Sequence, residues 1–225
     1  MAFQMVHMEI AYRLMERLEI EHGREAFLLG CVAPDSVHFR FPYKVEDKIH
    51  THLFEDCGPW GDTQDYERWI ENMKAFWEKY GRKEQDVSRK SFLLGIYVHC
   101  LTDYCNDKLI WRTLQNKFIP PMTDAEFKNA FYREAQQVDK WLFQNSEHTE
   151  EICRLLRNSA EFDLDGYLLA QDIRKMKTHL LENQYHFTEK VIVDGFKYYQ
   201  AERLLGFVNE VTDYIVHFLD AEKRR

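Results

Sequence analysis

Residues 95–107 read GIYVHCLTDYCND, an apolar run that carries a histidine and, four positions on, an aspartate. On an α-helix residues four apart lie one above the other on one face, so His99 and Asp103 project into a common volume. An imidazole nitrogen and a carboxylate oxygen on adjacent turns can hold one metal ion. They can also satisfy each other as a buried hydrogen-bonded pair, and the spacing alone does not separate the two. Other residues of ligand type stand elsewhere: His7 in VHMEIAYRL, Asp35 in FLLGCVAPDS, and His50 and His52 in KIHTHLF. Each alone has a plain reading as a core histidine, a helix-terminating turn or a solvated loop.

The elements that must position these residues are helical. Five prolines, nine glycines and apolar residues at three-to-four spacing predict an all-α chain, one multi-helix domain over 1–225 with about seven helices. A first helix is expected near 3–19 and a second at 24–32, stopped by Pro34 so that Asp35 falls in a loop. Residues 36–62 read as one long irregular loop, of a length that is usually functional or disordered. Asp62 or Thr63 caps a helix to about Tyr80, and a central helix over 88–116 carries His99 and Asp103. Pro120-Pro121 ends it, and the capping-box pattern Thr123-Asp124-Ala125-Glu126 opens the next, to about Asn145. Further helices are expected at 147–158, 164–183 and 187–222, the last bent at Gly195.

Composition sets bounds. A net charge of −8 gives no dense basic footprint for duplex nucleic acid. No stretch of about 18 uncharged apolar residues predicts a transmembrane segment, and MAFQMVHMEIAYRL lacks the pattern of a signal peptide, so a soluble, cytoplasmic protein is expected. Five cysteines without a C-x-x-C pair read as free buried thiols. Adjacent His-Asp, H-E-x-x-H, G-x-S-x-G and glycine-rich phosphate-loop patterns are missing from the sequence.

In their order, VHMEIAYRL, FLLGCVAPDS, THLF and FLLGIYVHCLTD resemble the zinc-dependent phospholipase C family, related in fold to the fungal single-strand nucleases, over roughly residues 4–106. The resemblance implies an all-helical domain whose His and Asp side chains hold Zn²⁺, one or two ions, at the bottom of a cleft. It implies His7, Asp35, His52, His99 and Asp103 as metal ligands, Asp103 as the bridging carboxylate and Asp35 also as a catalytic group. The family's further zinc uses histidines and an H-x-x-x-E motif downstream. Here no histidine occurs between His99 and His148, so that site is expected to be absent or altered. Asp139, beside Val138 and Trp141 on the helix after the central one, is the candidate replacement ligand, with Asn106, Asp107 and Glu134 nearby in sequence. Residues 147–222 carry no resemblance.

The expected function is metal-dependent hydrolysis of a phosphodiester or related phosphate ester by metal-activated water, with a small phosphate ester or lipid head group as substrate. The same N/O donors accept other divalent metals. The competing expectation is a non-catalytic helical metal-binding or scaffold protein that retains part of the ligand set. The aromatics Phe39, Phe41, Tyr43, Phe54 and Trp60 either line a cleft for lipid or nucleobase or anchor the loop to the bundle.

Overall fold

A computed structural model describes residues 2–223. Ten α-helices with short 3-10 and π-helical pieces, and no strand among the described residues, make up the fold. α1 (Gln4–Arg17) begins after an extended Phe3 that offers no cap; instead Asp139, far along the chain, accepts the Val6 N–H at 3.2 Å. α2 (Arg24–Gly30) starts after Gly23, whose φ of 70° is left-handed.

Pro34 stops α2 as expected, but the chain continues as a 3-10 helix, Ala33–Phe39, with Asp35 in its first turn. Asp35 therefore sits on a regular element and not in a loop. The expected 36–62 loop also contains α3 (Val45–Thr51), which ends at His52. Its seven residues are too few to show a periodicity in the sequence.

α4 (Tyr66–Phe76) is capped by Asp65, one turn later than expected, and runs into a π-turn at Trp77–Gly81. α5 (Val87–Asn106) is capped by Asp86, whose carboxylate accepts the Arg89 N–H at 2.7 Å. It leads into a π-turn at Asp107–Trp111 and then α6 (Arg112–Phe118), so the expected central helix is interrupted just after Asp103. π-turns inside helices are frequent at functional sites. The Thr123–Glu126 capping box forms and opens α7 (Asp124–Asn145). α8 (Thr149–Asn158) and α9 (Ala170–His179) follow, the latter extended by a π-turn at Leu180–Gln184.

The last helix departs most from expectation. α10 spans Ala201–Lys223, and 187–200 are irregular, with Gly195 at a φ of 77°. This segment is held from outside: Glu134 of α7 accepts the N–H groups of Tyr198 and Tyr199 at 2.6 and 2.9 Å. A buried carboxylate satisfied this way anchors the start of α10 and is not free for other ligands.

α5 is the centre, packed by α1, α2, α4 and α10 within one buried apolar cluster that reaches from Ala2 to Leu219. Its closest neighbour is α2, through the facing glycines Gly30 and Gly95. A Cβ on Gly95 would lie 2.3 Å from the Phe27 carbonyl, and one on Gly30 would lie 2.1 Å from that of Phe92. Only glycine permits this approach. All five cysteines are free, and no helix among the described residues is long and apolar enough to cross a membrane.

Candidate metal centre

The close packing of α2 on α5 brings the carbonyl of Cys31 to 2.8 Å from Nδ1 of His99, one turn after Gly95. A nitrogen facing a carbonyl must carry the proton, so Nε2 of His99 presents a lone pair. His52 is fixed the same way from α3, its Nδ1 2.9 Å from the carbonyl of Lys48. The two bare Nε2 atoms then meet at 3.2 Å, with no proton to share between them. Burial, together with the neighbouring His7, depresses the His99 imidazole to about 3, and burial lowers His52 as well, so neither supplies a proton near neutral pH.

His7 approaches from α1, its ring stacked on His99 with centroids 4.0 Å apart. Neither of its ring nitrogens has a hydrogen-bond partner, although both are buried. Asp103 faces this group with both oxygens. Oδ1 accepts the Ala2 N–H at 2.9 Å and lies 3.4 Å from Nε2 of His7. Oδ2 has no hydrogen bond and stands 3.6 Å from Nε2 of His52 and 3.7 Å from Nε2 of His99. Asp35 closes the opposite side, with Oδ1 3.3 Å from Nε2 of His52, while Gln4 Nε2 donates to its Oδ2 at 2.7 Å.

Two overlapping donor groups result: His7, His99 and Asp103, and Asp35, His52 and His99, with ligand atoms within 4.8 Å of one another in each. Repelling lone pairs, unpartnered buried nitrogens and an unpartnered carboxylate oxygen are what a cation between them would satisfy. Imidazole nitrogen with carboxylate oxygen is the donor set of a divalent transition metal such as zinc. Burial alone would raise the two carboxyls. The Lys48 ammonium holds Asp35 well below the usual carboxylate range, and His7 does the same for Asp103, so both are anionic.

Residues 6–106 match the family model described as zinc dependent phospholipase C. Over that segment, 101 of its 225 residues, the chain is similar to this family. No curated protein and no solved structure matches the chain. The matched segment runs from α1 to the end of α5 and so includes every member of the two donor groups.

Asp139 is buried as expected, yet it stands outside both donor groups. Its Oδ1 accepts from Val6 N–H and its Oδ2 from the Tyr185 hydroxyl at 2.7 Å. It caps α1 one residue before His7, positioning that helix instead of presenting a free oxygen. Burial pushes its carboxyl up to about 6. Asp107 accepts the Tyr66 hydroxyl at 2.5 Å, and Asn106 is buried with its amide nitrogen unpartnered. His50, set aside in the sequence, pairs with Glu55 and stacks on Tyr167, away from the donors.

Two cavities flank the centre and meet at Tyr132. One, about 260 Å³, has aromatic walls of Phe54, Trp60, Trp69, Trp111 and Tyr132 over Asp103 and Asp107. Phe54 and Trp60 thus serve a cleft, whereas Phe41 and Tyr43 are exposed and Phe39 leans on His179. The other, about 450 Å³, is polar and opens beside Asp35 and Lys48. Lys48 was not foreseen. Its buried ammonium donates to Asp35 Oδ1 at 2.9 Å and to His38 Nε2 at 2.6 Å. The signal was present, since Lys48 precedes His52 by one helical turn, but that face is invisible while the segment is read as loop.

Proposed function

We propose that the chain is a metal-dependent phosphoric ester hydrolase of the phospholipase C type, acting on a phosphodiester or related ester. The carrying observation is the contact between the Nε2 atoms of His52 and His99, 3.2 Å apart with both Nδ1 protons committed to carbonyls. In this reading His7, Asp35, His52, His99 and Asp103 would be the ligands, and the two oxygens of Asp103 face different histidines. The resemblance to a zinc-dependent family and the imidazole–carboxylate donor set support zinc as the metal.

When bound, the metal supplies an acidified water and neutralises charge developing on the phosphoryl oxygens. With a metal in place, Asp35 would accept a hydrogen bond from that water and would be the group to receive its proton. Gln4 and Lys48 hold the Asp35 carboxylate from either side and so fix its angle. Trp60, edge-on to His52 at 5.0 Å between centroids, and Phe54 behind it exclude water from the donor side. Tyr132, half in each cavity, divides the ester's two substituents.

The test is metal analysis of protein purified without chelator, followed by assays with added zinc on bis-p-nitrophenyl phosphate, phosphatidylcholine vesicles and single-stranded nucleic acid. One or two zinc ions per chain and turnover of at least one ester are expected. Bound metal without turnover of any ester would favour the scaffold reading, and no metal would defeat both.

A further inference from the structure

The polar cavity beside Asp35 shares Gln4, Asp35 and Lys48 with the metal centre, and the rest of its lining has no part in the metal chemistry. Lys48 and His38 line it from the α3 side, Lys140 and Gln136 from α7, and His179 and Gln184 from the α9 end. Asp35 is the one carboxylate in its lining, and that charge is already bonded to Lys48. An ammonium carries three N–H donors; those of Lys48 directed at Asp35 and His38 leave a third for a bound oxygen. Gln4, at the floor, has its Oε1 buried without a partner while its Nε2 holds Asp35. The neighbouring cavity has five aromatic walls and carries two carboxylates, Asp103 and Asp107, against one lysine, Lys128, which is paired with Asp124.

We propose that the polar cavity is a head-group subsite for an anionic ester substituent, so that the substrate is a phosphate ester carrying a second negative charge and not a quaternary ammonium. This rests on the hydrolase reading above. Lys140 is the residue that selects for charge, because it stands at the cavity wall away from the metal donors, its ammonium 5.6 Å from the centre of the Phe187 ring. Lys48 binds from the floor, where its charge also reaches the phosphoryl group. A charge-assisted hydrogen bond of this kind contributes about tenfold or more in selectivity.

The experiment measures kcat/KM of the zinc-loaded full chain for p-nitrophenyl phosphodiesters whose second arm ends in a carboxylate, a hydroxyl or a trimethylammonium group. The carboxylate is expected to exceed the trimethylammonium arm about tenfold or more. The ratio should fall by about tenfold in Lys140→Glu and be kept in Lys140→Arg. Because the ratio compares two substrates on one preparation, a loss of folded protein cancels, and a merely structural lysine would leave it unmoved. A parallel pair of vesicles, doped with phosphatidylinositol 4-phosphate or with phosphatidylcholine, separates sources: preference in the soluble series alone names a soluble ester, preference in the vesicles a lipid head group. Equal rates in both series, or preference for the cationic arm, overturn the proposal. If no substrate is hydrolysed, it is the hydrolase reading that fails. Calorimetric titration with 2-carboxyethyl phosphate and choline phosphate then tests the cavity alone: tighter binding of the former supports it, and equal or weaker binding overturns it.

Discussion

A buried carboxylate does one of two things here, and hydrogen bonding decides which. Asp103 keeps Oδ2 without a donor, whereas Asp139 has each oxygen satisfied by Val6 or Tyr185. Removing the charge from each should therefore separate a ligand from a positioning residue. Asp103→Asn is expected to lose at least one zinc per chain by atomic emission. Asp139→Asn should keep the stoichiometry while weakening affinity by roughly tenfold through the altered seat of α1, in line with changes made one layer outside a metal site. Equal retention in both variants would remove Asp103 from the ligand set. From the sequence alone the two aspartates look alike, each at a helix position beside apolar residues. What distinguishes them is a tyrosine forty-six positions away in Asp139's case, a partner no local pattern reveals.

At the scale of elements, the motifs FLLG at 27–30 and 92–95 are the same four letters used twice. Their glycines face each other, and this contact sets the distance from Cys31 to His99. Gly95→Ala should push α2 away, destabilise the fold by roughly 1–3 kcal/mol as overpacking does, and weaken zinc binding as well. Denaturant unfolding of the metal-free protein and competition for zinc with a chromophoric chelator read the two effects, and unchanged zinc affinity would show that the site does not depend on this packing. A second junction ties α1 to the turn between α7 and α8. Burial opposes the charge on Glu9, but hydrogen bonds from Ser146, Arg13 and His148 overcome it and lower its pKa. A carboxyl lowered on folding stabilises above its unfolded value, near 4.5, and that contribution disappears as pH falls through the folded value. Glu9→Gln should accordingly melt below the parent at pH 7, with the gap closing towards pH 3. A gap that persisted in acid would assign it to packing. The helices themselves were legible where they are long or capped by adjacent residues, as at Thr123–Glu126. α3 was too short to show a period, and the irregular 187–200 stretch is shaped by Glu134 from another helix, so neither could be read locally.

For the whole molecule, the donors arrive from four places: α1, the 3-10 helix, the end of α3 and the middle of α5. The segment after the matched residues supplies no donor to either group. Instead α7 caps α1, and α10 packs on α1 and α5 from outside. That division explains why the centre was legible in order along the first half while the second half offered no motif: a supporting shell is specified by shape and by single long-range hydrogen bonds, which many sequences satisfy. A metal held at the centre would also tie together elements far apart in sequence, drawing in anionic carboxylates and facing lone pairs that otherwise destabilise the core. Anything bound to the native state alone stabilises it by mass action, about 4 kcal/mol at a thousandfold excess over Kd. For a chain of this size each kcal/mol moves the midpoint by roughly 2–4 °C, so stripping zinc with a chelator should lower Tm by roughly 10 °C. The loss should be reversed by zinc and not by magnesium, which prefers oxygen ligands and keeps its waters. In His52→Ala, where the lone-pair clash is gone, the zinc-free midpoint should move up relative to the zinc-free parent or stay level, while the response to zinc shrinks. A zinc-free His52→Ala protein several degrees less stable than its parent would mean that the two imidazoles support the core without a cation, contrary to the role assigned to them.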